Sequence, residues 1–79
     1  MRNKYVTQKK MEFPNEIQLI ASNIKTYRQK KNLSIQELAY RCDMERSCMS
    51  RIESGRVNVT IKTLCKISEA LGVELKDLL

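Results

Sequence analysis

The sequence predicts an all-α protein of five helices, and three observations carry that reading. Apolar residues recur at three- and four-residue steps in successive stretches. Residues that start or stop helices stand at the ends of those stretches: Asn15, Ser34 with Glu37, and Thr60 ahead of them, Gly55 and Gly72 behind. No stretch keeps up a two-residue alternation and the β-branched residues are scattered, so a sheet is not expected.

The first helix follows Pro14, with Asn15 as its cap, and Ile17, Ile20, Ala21, Ile24 and Tyr27 make one apolar stripe that ends at Lys30, Lys31 and Asn32. Ser34-Ile35-Gln36-Glu37 is a capping box. The Ser hydroxyl and the Glu carboxylate each satisfy the other residue's backbone N–H, and Leu38 and Ala39 then enter a short second helix. Its pattern runs out between Arg41 and Met44. A third helix spans Arg46 to Glu53, with Met49 and Ile52 directed inward and Gly55 placed to adopt the left-handed conformation that stops it. Thr60 caps the fourth, in which Ile61, Leu64, Ile67 and Leu71 face inward and Gly72 ends the run. Leu75, Leu78 and Leu79 form a last amphipathic turn or two.

With 79 residues the chain has room for one domain, assigned to 15–79. Residues 1–14 are read as a basic flexible arm. Residues 1–10 hold Arg2, Lys4, Lys9 and Lys10 and no acid, so most of the net charge of +6 lies there; the remainder has eleven bases against nine acids. Such an arm is either simply solvated or drawn to phosphate. The start of the chain lacks the apolar stretch of a secretory signal and no run spans a bilayer, so a cytoplasmic protein without membrane contact is expected. The chain has no His, which removes the commonest general base and metal ligand. Cys42, Cys48 and Cys65 cannot close a tetrahedral zinc site without a fourth ligand, and so short a chain hardly encloses a substrate pocket as well as a core. An enzyme, a cofactor, a metal site and a small-molecule ligand are all unexpected.

The third helix carries the most specific chemistry. Arg46, Ser47, Ser50 and Arg51 fall on one outward face while Met49 and Ile52 point in. Guanidinium groups can reach guanine O6 and N7 together, and hydroxyls can meet bases or phosphates, so a short anchored helix with this face suits the DNA major groove. An ordinary solvated surface helix would also be polar outside, and on charge alone that plainer reading is favoured.

The run Leu33-Ser34-Ile35-Gln36-Glu37-Leu38-Ala39, then Met44, Ser50-Arg51-Ile52-Glu53-Ser54-Gly55, Leu64, Ala70-Leu71-Gly72-Val73 and Asp77-Leu78-Leu79 resembles the Cro and phage-repressor (XRE-like) type of helix-turn-helix protein over about residues 16–79. Asn58-Val59-Thr60-Ile61-Lys62 looks further like the controller proteins that time expression of restriction-modification genes. The resemblance implies a compact lambda-repressor-like domain with the helix-turn-helix at helices two and three. It also implies a non-enzymatic transcription regulator, such as a repressor, that binds double-stranded DNA and blocks or recruits RNA polymerase.

Carried over residue by residue, it assigns base reading to Arg46, Ser47 and Arg51, and backbone contact to Ser34, Gln36, Ser50, Arg56, Asn58 and Thr60. The last three also fit plain loop and cap chemistry. Two positions depart from the family pattern. Ile35 stands where the family often has Gln and is read as packing against the first helix, with Gln36 a partial substitute. Glu45 replaces the usual Ser or Thr cap; its carboxylate suits a helix N-terminus, yet it either repels phosphate or accepts from cytosine N4, the latter making it a specificity residue. Glu53 is implied to pair with Arg28 of the first helix rather than to read DNA.

One recognition helix reads only a few base pairs, so a homodimer on a near-palindromic operator is expected, with its recognition helices ~34 Å apart. The family's members often pair through the C-terminal region, which assigns Cys65, Val73, Leu75, Leu78 and Leu79 to the interface; the alternative is that these leucines only complete the core. A second function class stays open: an antitoxin or adaptor module whose main task is protein binding.

Overall fold

The computed structural model describes residues 15–79. The basic arm expected at residues 1–14 lies outside the described residues. Among the described residues five helices follow one another: α1 (Asn15–Lys30), α2 (Ile35–Arg41), α3 (Arg46–Glu53), α4 (Ile61–Leu71) and α5 (Leu75–Leu78). There is no strand among the described residues.

Start and stop signals set most of these boundaries. The Glu37 N–H donates to Ser34 Oγ at 3.0 Å and the Ser34 N–H donates to the Glu37 carboxylate at 2.7 Å, completing the capping box of α2. Thr60 Oγ1 accepts from the Thr63 N–H at 3.1 Å at the start of α4. Asn15, expected as the cap of α1, is itself helical and is the first of the described residues.

The helices end in a shared way. Asn32, Asp43, Gly55 and Gly72 all lie at positive φ, at 58°, 60°, 74° and 71°. The residue after each one donates its N–H back to a helical carbonyl: Leu33 to Arg28, Met44 to Ala39, Arg56 to Arg51 and Val73 to Ser68. These are Schellman stops, which satisfy orphan carbonyls while turning the chain sharply. Asp43 occupies a position where Gly is usual, and short polar Asp tolerates it better than most side chains.

Ile24, Leu38, Met49, Leu64, Ile67, Leu71 and Leu78 are fully buried and, with Ile52, fill the space between the helices. At about 1.5–3 kcal/mol for each large apolar side chain taken from water, this cluster is the main favourable term in folding. Two expectations require correction. Ile61, expected to face inward, is 60% exposed: as the first residue of α4 it lies a turn short of the core seam that Leu64 enters. Leu78, expected on a dimer surface, is 0% exposed and belongs to the core of this chain, where α5 folds back on α1 and α4. Asn23 helps hold it there, donating from Nδ2 to the Leu78 carbonyl at 3.1 Å.

The Glu37 carboxylate is held below its ordinary pKa, chiefly by the hydrogen bond from the Ser34 backbone N–H. A folded-state pKa that is depressed contributes stability at pH values above the unfolded value, and that contribution disappears as pH falls through the lowered one. Thermal unfolding followed across the acid range should therefore show a loss of stability that Glu37→Gln flattens, because Gln keeps the cap but does not titrate.

Candidate nucleic-acid interface

The first step of the site is the corner between α2 and α3. Cys42 to Glu45 cross it in four residues, with Asp43 providing the left-handed turn. Met44 packs partly against the core, and the Cys42 side chain is buried. Burial also pushes the Cys42 thiol pKa up, which keeps it protonated, and its Sγ approaches the Lys66 carbonyl at 3.9 Å. The corner is thus anchored from inside and α3 packs chiefly on α2.

On α3, Met49 and Ile52 are buried while Arg46, Ser47 and Arg51 are exposed. Ser50, expected to be fully outward, is half-buried. Cys48 is exposed on the edge of the same arc, a placement that its weakly apolar side chain does not signal in the sequence. Glu45 occupies the cap position with no side-chain cap hydrogen bond, so its exposed carboxylate stands beside Arg46 at the helix start.

An ion pair braces α3 from behind. Arg28 Nε donates to Glu53 Oε2 at 2.7 Å and Nη2 donates to Oε1 at 3.0 Å, a two-pronged pairing with side chains only 10% and 5% exposed. The third guanidinium nitrogen, Nη1, donates to the Leu33 carbonyl at 2.7 Å. One side chain of α1 therefore fixes both the approach to α2 and the end of α3, and Glu53 is occupied as a structural partner.

The segment after α3 has its own order. Arg56, Asn58 and Thr60 are exposed, whereas Val57 and Val59 are half-buried against the core. The two valines held against the core leave the three polar residues around them facing solvent. Ser34 and Gln36 are exposed at the start of α2, and Ile35 between them packs partly against the core. Tyr40, 84% exposed on α2, stands beside these residues, and a lone aromatic carries no exposure signal in the sequence.

The residues assigned to an interface between copies separate. Cys65 and Leu79 are exposed, the latter at 55%, and Val73 and Leu75 are half-buried; Leu78 is withdrawn into the core. Among the described residues no group of three or more His, Cys, Asp or Glu is placed to hold a metal ion, and no helix is long and apolar enough to cross a membrane.

Two short helices joined by a tight corner, the second showing a polar arc and braced behind, define a helix-turn-helix domain. The chain belongs to the helix-turn-helix family, which it matches over residues 24–78. It is similar to control protein C.BamHI of Bacillus amyloliquefaciens, 50% identical over 50 residues that make up 63% of this chain and 62% of that one, so the match spans just under two thirds of that relative. Its fold is similar to the crystal structure of the restriction-modification controller protein C.AhdI from Aeromonas hydrophila, with a TM-score of 0.79 and 26% identity over 82% of this chain and 94% of the other. It is also similar to the structure of SinR, a master regulator for biofilm formation, in complex with DNA, with a TM-score of 0.70 and 37% identity over 75% of this chain and 95% of SinR.

Because Arg28 and Glu53 are buried together, removing either one alone strands the other. Glu53→Ala or Arg28→Ala should each cost about 3–5 kcal/mol in denaturant unfolding, and the double substitution should cost less than the sum. Additive losses would show that the pair does not act as a unit.

Proposed function

We propose that this chain is a sequence-specific DNA-binding transcription regulator that lays α3 in the major groove. The observation that carries this reading is the outward arc of Arg46, Ser47 and Arg51 on a helix whose inner side is fixed by Met49, Ile52 and the Arg28–Glu53 pair. A rigid, solvated row of guanidinium and hydroxyl groups matches the donor and acceptor pattern of base edges. Glu45 at the start of the row either accepts from cytosine N4 or screens Arg46. Arg56, Asn58 and Thr60, with Ser34, Gln36 and Ser50, supply contacts to phosphate and set the register of the helix on the duplex.

The chain acts without enzymatic activity in the cytoplasm, by occupying a promoter and excluding or recruiting RNA polymerase. Similarity to C.BamHI and C.AhdI supports control of restriction-modification genes in particular. Similarity to SinR in its DNA complex supports duplex DNA as the partner. The working unit is a homodimer, since two recognition helices are needed for tight specific binding. Cys65, Val73, Leu75 and Leu79 offer the surface for pairing, without Leu78.

Selection of bound fragments from random duplexes, followed by footprinting, should return a near-palindromic operator. On that operator Arg51→Ala should cost about 1–3 kcal/mol at one or two base positions and relax discrimination there. Arg56→Ala should weaken all duplexes alike and make the dependence of log affinity on log salt shallower by about one unit. Equal losses on operator and random DNA would assign Arg51 to phosphate instead. Sedimentation at micromolar concentration should find a species of twice the 9.2 kDa chain mass, and Leu79→Glu should shift it towards the monomer. A wild-type protein that stays monomeric would remove the dimer step.

A further inference from the structure

Gln18 lies on α1, far in sequence from every residue assigned to the interface, yet its side chain reaches the end of the recognition helix. Its Nε2 donates to the Gly55 carbonyl at 3.2 Å across a separation of 37 residues. Contact is close enough that a Cβ added at Gly55 would lie 2.7 Å from Gln18 Oε1. Gly55 is required for its φ of +74°, and a side chain there would displace the Gln18 amide from its contact.

That carbonyl belongs to the peptide group joining Gly55 to Arg56. The N–H on the other side of the same peptide donates to the Arg51 carbonyl at 3.2 Å, and Ser54 Oγ donates to that carbonyl at 2.8 Å. With Gln18 on its oxygen and Arg51 on its nitrogen, the 55–56 peptide plane is held at both ends. The plane sets the direction in which Arg56 leaves the helix.

We propose that Gln18 is a positioning residue for DNA-backbone contact: it fixes the Gly55–Arg56 peptide so that the Arg56 guanidinium meets a phosphate while α3 lies in the groove. The proposal rests on the DNA-binding reading given above. Gln18 touches no nucleotide itself; it acts through Gly55 and Arg56. An unheld peptide could rotate, and Arg56 would then sample directions away from the backbone, losing affinity through added conformational freedom.

The experiment is a double-mutant cycle in DNA binding, on the full chain, with Gln18→Met and Arg56→Ala. Met retains the length and helical preference of Gln but has no amide to donate. Gln18→Met should lower affinity about two- to tenfold, the range of one hydrogen bond, on operator and random duplex alike. It should also make the salt dependence shallower by up to about 0.9 unit, the slope of one phosphate contact. In the Arg56→Ala background Gln18→Met should have no further effect on either quantity. Losses that simply add, or an unchanged salt slope, would overturn the positioning role even if the variant bound less well, because a purely stabilising contact would act independently of Arg56. Helical signal and thermal midpoint confirm folding, and Gln18→Ala runs through the same cycle should Gln18→Met fail to fold. Absence of duplex binding by the wild-type chain would instead sink the DNA-binding reading itself, and the two failures are thereby distinguished.

Discussion

The buried pairing of Arg28 with Glu53 is the constraint from which the rest of the interface takes its orientation. Taking two charges out of water costs several kcal/mol per ion, and only good geometry with every donor and acceptor occupied offsets it. Here two guanidinium nitrogens meet both carboxylate oxygens and the third meets the Leu33 carbonyl. An apolar pair of similar volume could be as stabilising, but it would be tolerant of sliding. A planar fork on a carboxylate has one register, so α1 and α3 are fixed in rotation as well as in distance. Rotation matters because the side of α3 that faces α1 determines which side faces solvent.

The helix ends complete that constraint. Four helices stop in the same left-handed turn, and each turn both occupies orphan carbonyls and sets the exit direction of the chain. After α2 this produces the corner that delivers α3; after α3 it produces the run in which Val57 and Val59 turn inward and Arg56, Asn58 and Thr60 turn outward. The Arg51 carbonyl, at the end of the polar arc, receives the N–H of Arg56, so the two candidate DNA-contacting segments share a hydrogen bond. The segment after α3 is thus tied to the helix by that bond and by the two valines packed on the core.

Much of this was legible in the sequence because the signals are local. The Ser34–Glu37 box, the Thr60 cap, Gly55 and Gly72 act within one turn, and their residue types have few other uses in that spacing. The inward positions of α3 follow from helical period alone. What was not legible depends on contacts far along the chain. Ile61 has the right period for the α4 stripe but lies beyond the end of the seam, and only the placement of its neighbours decides that. Leu78 reads equally as core or as surface until α5 is seen folded back with Asn23 on its carbonyl. The Arg28–Glu53 pair was available through family resemblance, not from spacing, and Gln18 gave no signal at all. Asp43 failed as a stop signal because the left-handed turn usually carries Gly, and Asp there is chosen by tolerance rather than preference.

The shortness of α3 gives these distant contacts their functional weight. Eight residues are well below the ~12–15 at which a helix begins to hold in water by itself, and this one has no side-chain cap and an Arg in its first turn, against the helix dipole. Of its outward arc, only Arg51 in the last turn favours the dipole, and a surface charge of that kind contributes little. The helix therefore exists because Met49 and Ile52 are buried and Glu53 is paired, and the same three residues fix it in place before any partner is met. Preorganisation of this kind lowers the ordering cost of binding. On the DNA-binding reading proposed above, the residues behind α3 therefore contribute to affinity although they face the protein interior.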